Sequence, residues 1–177
     1  VSDSYFDKTS GARMVYLQQA YKNIPVYNQL LSLAFKNETL VSKAGNFISS
    51  LEKKVNTKDA VASLAPAIAL QNALADRKLI PTKTPSNIVH DAARGFYEFG
   101  DMGISRQNIT VQIIWVPVED GRKVQLAWQV YVIPNNSSDY WMIRVDANNG
   151  SILGMDNYTV YCNWEDPANL LPAKKEN

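Results

Sequence analysis

One cysteine and one histidine occur in the 177 residues, and these scarcities remove several kinds of chemistry. Cys162 alone makes no internal disulfide, so cysteine usage leaves the redox compartment open. His90 alone cannot build a His-rich hydrolytic zinc centre. The chain contains no H-E-x-x-H, no C-x-x-C, no G-x-S-x-G and no glycine-rich phosphate loop. Charge of one sign is also lacking: 18 Lys plus Arg stand against 17 Asp plus Glu. A net charge of +1 supplies no broad field to draw nucleic acid or an anionic membrane, and neither is expected as a partner. No apolar run approaches the roughly 18 residues that a membrane-spanning helix needs. The start, VSDSYFDKTSG, has neither the basic nor the apolar region of a signal peptide. Any export signal is therefore expected to be missing from this numbering.

Few polar groups offer themselves as a catalytic set. His90 lies beside Asp91 in SNIVHDAARG, with no Ser or Cys nucleophile signalled nearby, and it is given no role. Glu98 with Asp101, and Glu119 with Asp120, could pair an acid with a base. The second pair sits in the turn EDGR, where Asp-Gly has a backbone explanation, and both pairs read as surface charge. The N-x-[ST] triplets at Asn37, Asn108, Asn135, Asn136 and Asn157 carry no functional weight in an Asn-rich and Ser/Thr-rich chain. At this length roughly two-thirds of the unfolded surface can be buried, enough for one large domain or two small ones.

Hydrophobic alternation dominates the pattern. In RMVYLQQAYKNIPVYNQLLSLAF, Val15, Leu17, Gln19 and Tyr21 share one face, and Leu31, Leu33 and Phe35 alternate with Ser32, Ala34 and Lys36. Pro25 has no N–H for a ladder, so the segment is expected to bend there, at an edge, bulge or crossing point. GNFISSL reads as a last strand of this unit, followed by a polar connection and a boundary near Asn56. SLAPAIALQNALADRKL predicts a helix with Ser63 as N-cap, Pro66 in its first turn, and Leu64, Ala67, Ile68, Leu70 and Leu74 as apolar positions. PTKTPSN leaves it as a loop, and a helical turn is weakly signalled over 88–94. From Asn108 a β-meander follows: Val111, Ile113 and Trp115; then, past EDGR, Val124, Leu126, Trp128, Val130 and Val132; then Trp141, Ile143 and Val145; and after DANNG the segment SILGMDNY. The expected fold class is α+β, two small units each with an antiparallel sheet, the C-terminal one a helix packed on a four-stranded meander.

Two stretches carry a resemblance. MVYLQQAYKNIPVYNQLLSL resembles the N-terminal motif of fungalysin and thermolysin propeptides, through Gln18, Gln19, Tyr21, Ile24, Pro25 and Val26. Asn28-Gln29 stands where that family has Gly-Gly. VQLAWQVYV and YWMIRVDANNGSILGMDNY resemble the PepSY region at the C-terminal end of the same propeptides, through Leu126, Trp128, Asp146 and Gly150. The two occur in the family's order, and DNYTVYCNWEDPAN resembles the junction into the metalloprotease. The resemblance implies a propeptide-like unit over 1–56, a PepSY-like cystatin-type unit over 57–160 and an extended junction tail over 161–177.

It further implies a secreted, periplasmic or cell-surface pro-region that helps a zinc metalloprotease to fold and blocks its cleft until cleavage. No catalytic residue, metal or cofactor is expected in such a chain, and its partner is the catalytic domain, in cis before cleavage. A free-standing PepSY-like protease inhibitor or binding module is the alternative. An extended segment in a cleft gains main-chain hydrogen bonds and seats alternate side chains. Tyr158, Val160, Cys162 and Trp164 would share one face if the last strand continued, and they are the expected partner contacts. The Cys162 thiol has three readings: a zinc ligand, a partner for a cysteine further along the precursor, or a residue of the junction without a special role.

Overall fold

The computed structural model describes residues 1–86, 89–91 and 95–159. Within them run ten strands: β1 (Asp3–Asp7), β2 (Ala12–Tyr21), β3 (Ile24–Lys36), β4 (Thr39–Ala44), β5 (Val89–Asp91), β6 (Phe96–Glu98), β7 (Thr110–Val118), β8 (Lys123–Val132), β9 (Trp141–Asp146) and β10 (Ile152–Asn157). A 3-10 turn covers Leu51–Lys53, and one α-helix, α1, covers Pro66–Asp76.

Strands β1 to β4 form an antiparallel meander. Lys22 and Asn23 close the β2–β3 hairpin with φ of 49° and 64°, the left-handed pair of a type I′ turn, whose twist matches that of the strands it joins. Pro25 is in register with Ala20, and the ladder breaks at the next residue. The pairing resumes at Gln18 with Leu30, so Gln19 alone stands against Val26, Tyr27, Asn28 and Gln29. Asn28 takes φ 55° inside this excursion, a conformation that Asn tolerates better than most residues. Val26, released from β2, pairs in parallel with Trp115 of β7.

That one pairing joins the first meander to a second, β5-β6-β7-β8-β9-β10, and all ten strands belong to one hydrogen-bonded sheet. The α+β expectation is therefore wrong. The β7 to β10 meander forms in the expected order, but it is the far end of a β-dominated structure with 11 helical residues in α1. Two local causes account for the difference. The β3 excursion joins two sheets that were expected to belong to separate units, and Val89–Asp91 pairs with β6 where a helical turn was signalled.

Three smaller expectations also fail. β4 ends at Ala44, and GNFISSL is a loop entering the 3-10 turn, which buries Leu51. The cap of α1 is Ala65, without a side-chain bond, because Ser63 instead donates to Asn148 Oδ1 at 3.1 Å. Pro66 at the first helical position fixes φ and needs no N–H partner there. Ala69, Leu70, Ala73 and Leu74 of α1 are buried with Val111, Ile113, Trp115, Leu126, Trp128, Val130, Ile143 and Val145, the side chains of one face of β7, β8 and β9. Ile68, an expected core position, is 42% exposed.

Candidate functional site: the helix-free face of the sheet

The residues of the N-terminal motif act as braces. Gln18 Nε2 donates to the carbonyls of Val26 at 2.7 Å and Gln29 at 3.1 Å, holding both ends of the excursion. Gln19 forms a two-bond clamp with one residue: its Nε2 donates to Ile48 O at 2.8 Å, and the Ile48 N–H donates to its Oε1 at 2.8 Å. Thus the Gln pair satisfies the main-chain groups that the broken ladder and the 45–50 loop leave open. Trp115 Nε1 donates to Tyr21 O at 3.1 Å, and the two rings meet edge to face at 5.7 Å. Ile24 packs against the core, and Val26 is fully buried.

The C-terminal motif is used in the same way. Trp128 is 5% exposed, donates from Nε1 to Leu64 O at 2.9 Å and meets Tyr97 edge to face at 5.7 Å. Trp141 is only half-buried and stacks beneath the Arg77 guanidinium at 4.9 Å. The Leu126 N–H donates to Asn56 Oδ1 at 3.0 Å. Asp146 Oδ1 accepts from the N–H groups of Asn148 and Asn149 at 2.7 and 3.0 Å. Gly150 takes φ 78°, and a Cβ there would lie 2.5 Å from Asn72 Nδ2, the atom that donates to its own carbonyl at 2.9 Å.

A charged pair with a tyrosine lies on the sheet face turned away from α1. Arg144, 7% exposed, donates from Nη1 to Asp156 Oδ2, and the Tyr27 hydroxyl donates to the same oxygen. The guanidinium also lies 4.2 Å above the Tyr27 ring. Burial raises the Asp156 carboxyl, but the bonds from Arg144 and Tyr27 outweigh it and hold the group below its ordinary value. Burial, together with the bond to Asp156, pushes the Tyr27 phenol up. Tyr131 is also raised, first by burial and then by the neighbouring tyrosines 158 and 140. Gln112 and Gln129 face each other across β7 and β8, and Gln129 adjoins Arg144 on β9.

Of the expected partner contacts, Tyr158 is described. It is 47% exposed, its N–H donates to Tyr140 O at 2.8 Å, and its ring meets Tyr140 at 6.1 Å. Val160, Cys162 and Trp164 lie outside the described residues. His90 belongs to β5. Asp101 Oδ1 accepts from the Gly103 N–H at 2.7 Å, and Glu119 pairs with Lys123 at 2.6 Å. The Arg144–Asp156 pair was missed, although antiparallel counting out from DANNG brings WMIRV against GMDN. Tyr27, 129 positions from Asp156, gave no local signal. Among the described residues no three of His, Cys, Asp and Glu come together as a metal-holding group, and no helix is long and apolar enough to cross a membrane.

No protein-family model matches the chain, and no curated protein matches it.

Proposed function

We propose that this chain is the non-catalytic pro-region of a secreted zinc metalloprotease, inhibiting its catalytic domain and assisting the folding of that domain. The observation that carries the reading is the order of the two motifs, Gln18 to Val26 ahead of Leu126 to Gly150, in one chain. In this reading residues 1–56 are the propeptide-like unit, 57–160 the PepSY-like unit and 161–177 the junction tail, and Tyr158 and Val160 at the end of the second unit contact the cleft together with Cys162 and Trp164 of the tail. The physical logic is mass action. A chain that binds the folded protease and not the unfolded one stabilises the former, and covalent linkage raises its effective concentration. A broad, internally braced sheet supports the reading, since rigidity lowers the ordering cost of association.

The test begins with the reading frame that encodes this chain, which should continue into an H-E-x-x-H domain. That domain, refolded with and without the purified chain, should recover peptidase activity only with it, and only after the chain is digested away. A frame without such a domain, or equal recovery in both arms, would overturn the proposal.

A further inference from the structure

A groove of about 220 Å³ lies between the β3 excursion and the helix-free face. Tyr27 and Leu30 form its wall, and Gln112, Ile114, Gln129 and Met142 its floor. Gln129 is only 8% exposed, yet its side chain has no hydrogen-bond partner among the described residues. Every fully enclosed polar side-chain atom there does have a partner, so the Gln129 amide opens onto the groove. Without a protein partner the amide is left to the solvent of the groove, where a seated ligand could take up both its donor and its acceptor.

Three features define what would satisfy it. A carboxamide carries both donor and acceptor, the complement of a peptide group, and Gln112 presents a second one directly opposite. The rest of the floor is apolar, Ile114 and Met142 being 4% and 5% exposed, while Leu30 at the rim is 49% exposed. The nearby charges, Arg144 and Asp156, are paired with each other and offer nothing to a charged ligand. At about 220 Å³ the space falls short of the roughly 300–1,000 Å³ of small-molecule pockets, which suits one side chain of a longer ligand.

We infer that the groove binds an extended, uncharged peptide segment of a partner protein. Gln129 and Gln112 bond its main chain, and one apolar side chain seats against Ile114, Met142 and Leu30. The inference rests on the proposed function only in naming the protease as the source of the segment.

The experiment pans a displayed library of random linear peptides on the full chain and measures binding of the selected peptides by fluorescence anisotropy. The expected peptides share an apolar residue flanked by uncharged ones. Gln129→Leu should weaken them at least tenfold while leaving the thermal midpoint unchanged or higher, because an apolar group replaces an unpartnered amide. Leu30→Asp, at an exposed position, should weaken them comparably in a chain that folds as before. No enrichment, or peptides that bind both variants as tightly as the wild type, overturns the inference. A lowered midpoint with unchanged affinity for Gln129→Leu does so too, by making the residue structural. Since no protease enters the assay, its failure would leave the refolding test standing.

Discussion

Replacing Gln19 by alanine removes both bonds of the clamp on Ile48, each 2.8 Å long, and leaves that residue's N–H and C=O without partners in a partly buried loop. A hydrogen bond contributes about 1 kcal/mol net, and stranding a buried polar group costs about 1–3 kcal/mol, so partial access of water places the loss near 2–3 kcal/mol. With a urea slope of about 2 kcal/mol per molar, the unfolding midpoint should fall by about 1–1.5 M. The assay is equilibrium urea unfolding followed by tryptophan fluorescence, since Trp115 and Trp128 both lie in the core. An unchanged slope would show that the loss lies in the folded state. Gln19→Glu keeps the acceptor for the Ile48 N–H but sets a carboxylate against the Ile48 carbonyl, so it should not restore stability. A midpoint shift below about 0.2 M for Gln19→Ala, equivalent to less than about 0.5 kcal/mol, would refute the assignment of the Gln pair as a brace.

Trp128→Ala should cost about 3–5 kcal/mol in the same assay, through the cavity it opens and the lost bond to Leu64. Gly150→Ala combines φ 78° with a Cβ placed 2.5 Å from Asn72 Nδ2; a loss of about 1–3 kcal/mol is expected, and none would contradict the close packing. Asp156 has a folded-state value below its ordinary 3.8, so its stabilisation is present above that value and disappears as pH falls through it; Asp156→Asn should flatten the acid limb of a stability–pH curve. Tyr27 is raised above its ordinary 10.0. Its contribution is present below pH 10 and declines as pH rises beyond it, and a Tyr27→Phe variant should lose less stability on the alkaline side.

Strands were legible wherever alternation ran in phase with a buried face. Val124, Leu126, Val130 and Val132 are all 0–1% exposed, as their spacing required, and EDGR and DANNG turned the chain where Asp-Gly and Asn-Gly should. The larger sheet was not legible, because it depends on Val26 meeting Trp115, a parallel contact across about half of the chain's 177 residues that no local pattern encodes. Strand β5 was hidden for another reason: three residues are too few to show a period. Gln18 and Gln19 stood out as a pair, but their use as main-chain braces requires knowing where β3 leaves its ladder. Gln129 could be placed on the polar face of β8, while its want of a partner emerges only when the groove is assembled.

The central claim is that the chain binds and silences a metalloprotease domain, and inhibition in trans tests it most directly. Purified chain is titrated into the mature catalytic domain that the proposal expects its reading frame to encode, and hydrolysis of a peptide substrate is followed. The account predicts stoichiometric loss of activity that returns once the chain is proteolysed, and a much weaker effect when the chain is truncated after Met155. Full protease activity at about tenfold molar excess of chain, an excess that would saturate any tight inhibitor, would contradict it.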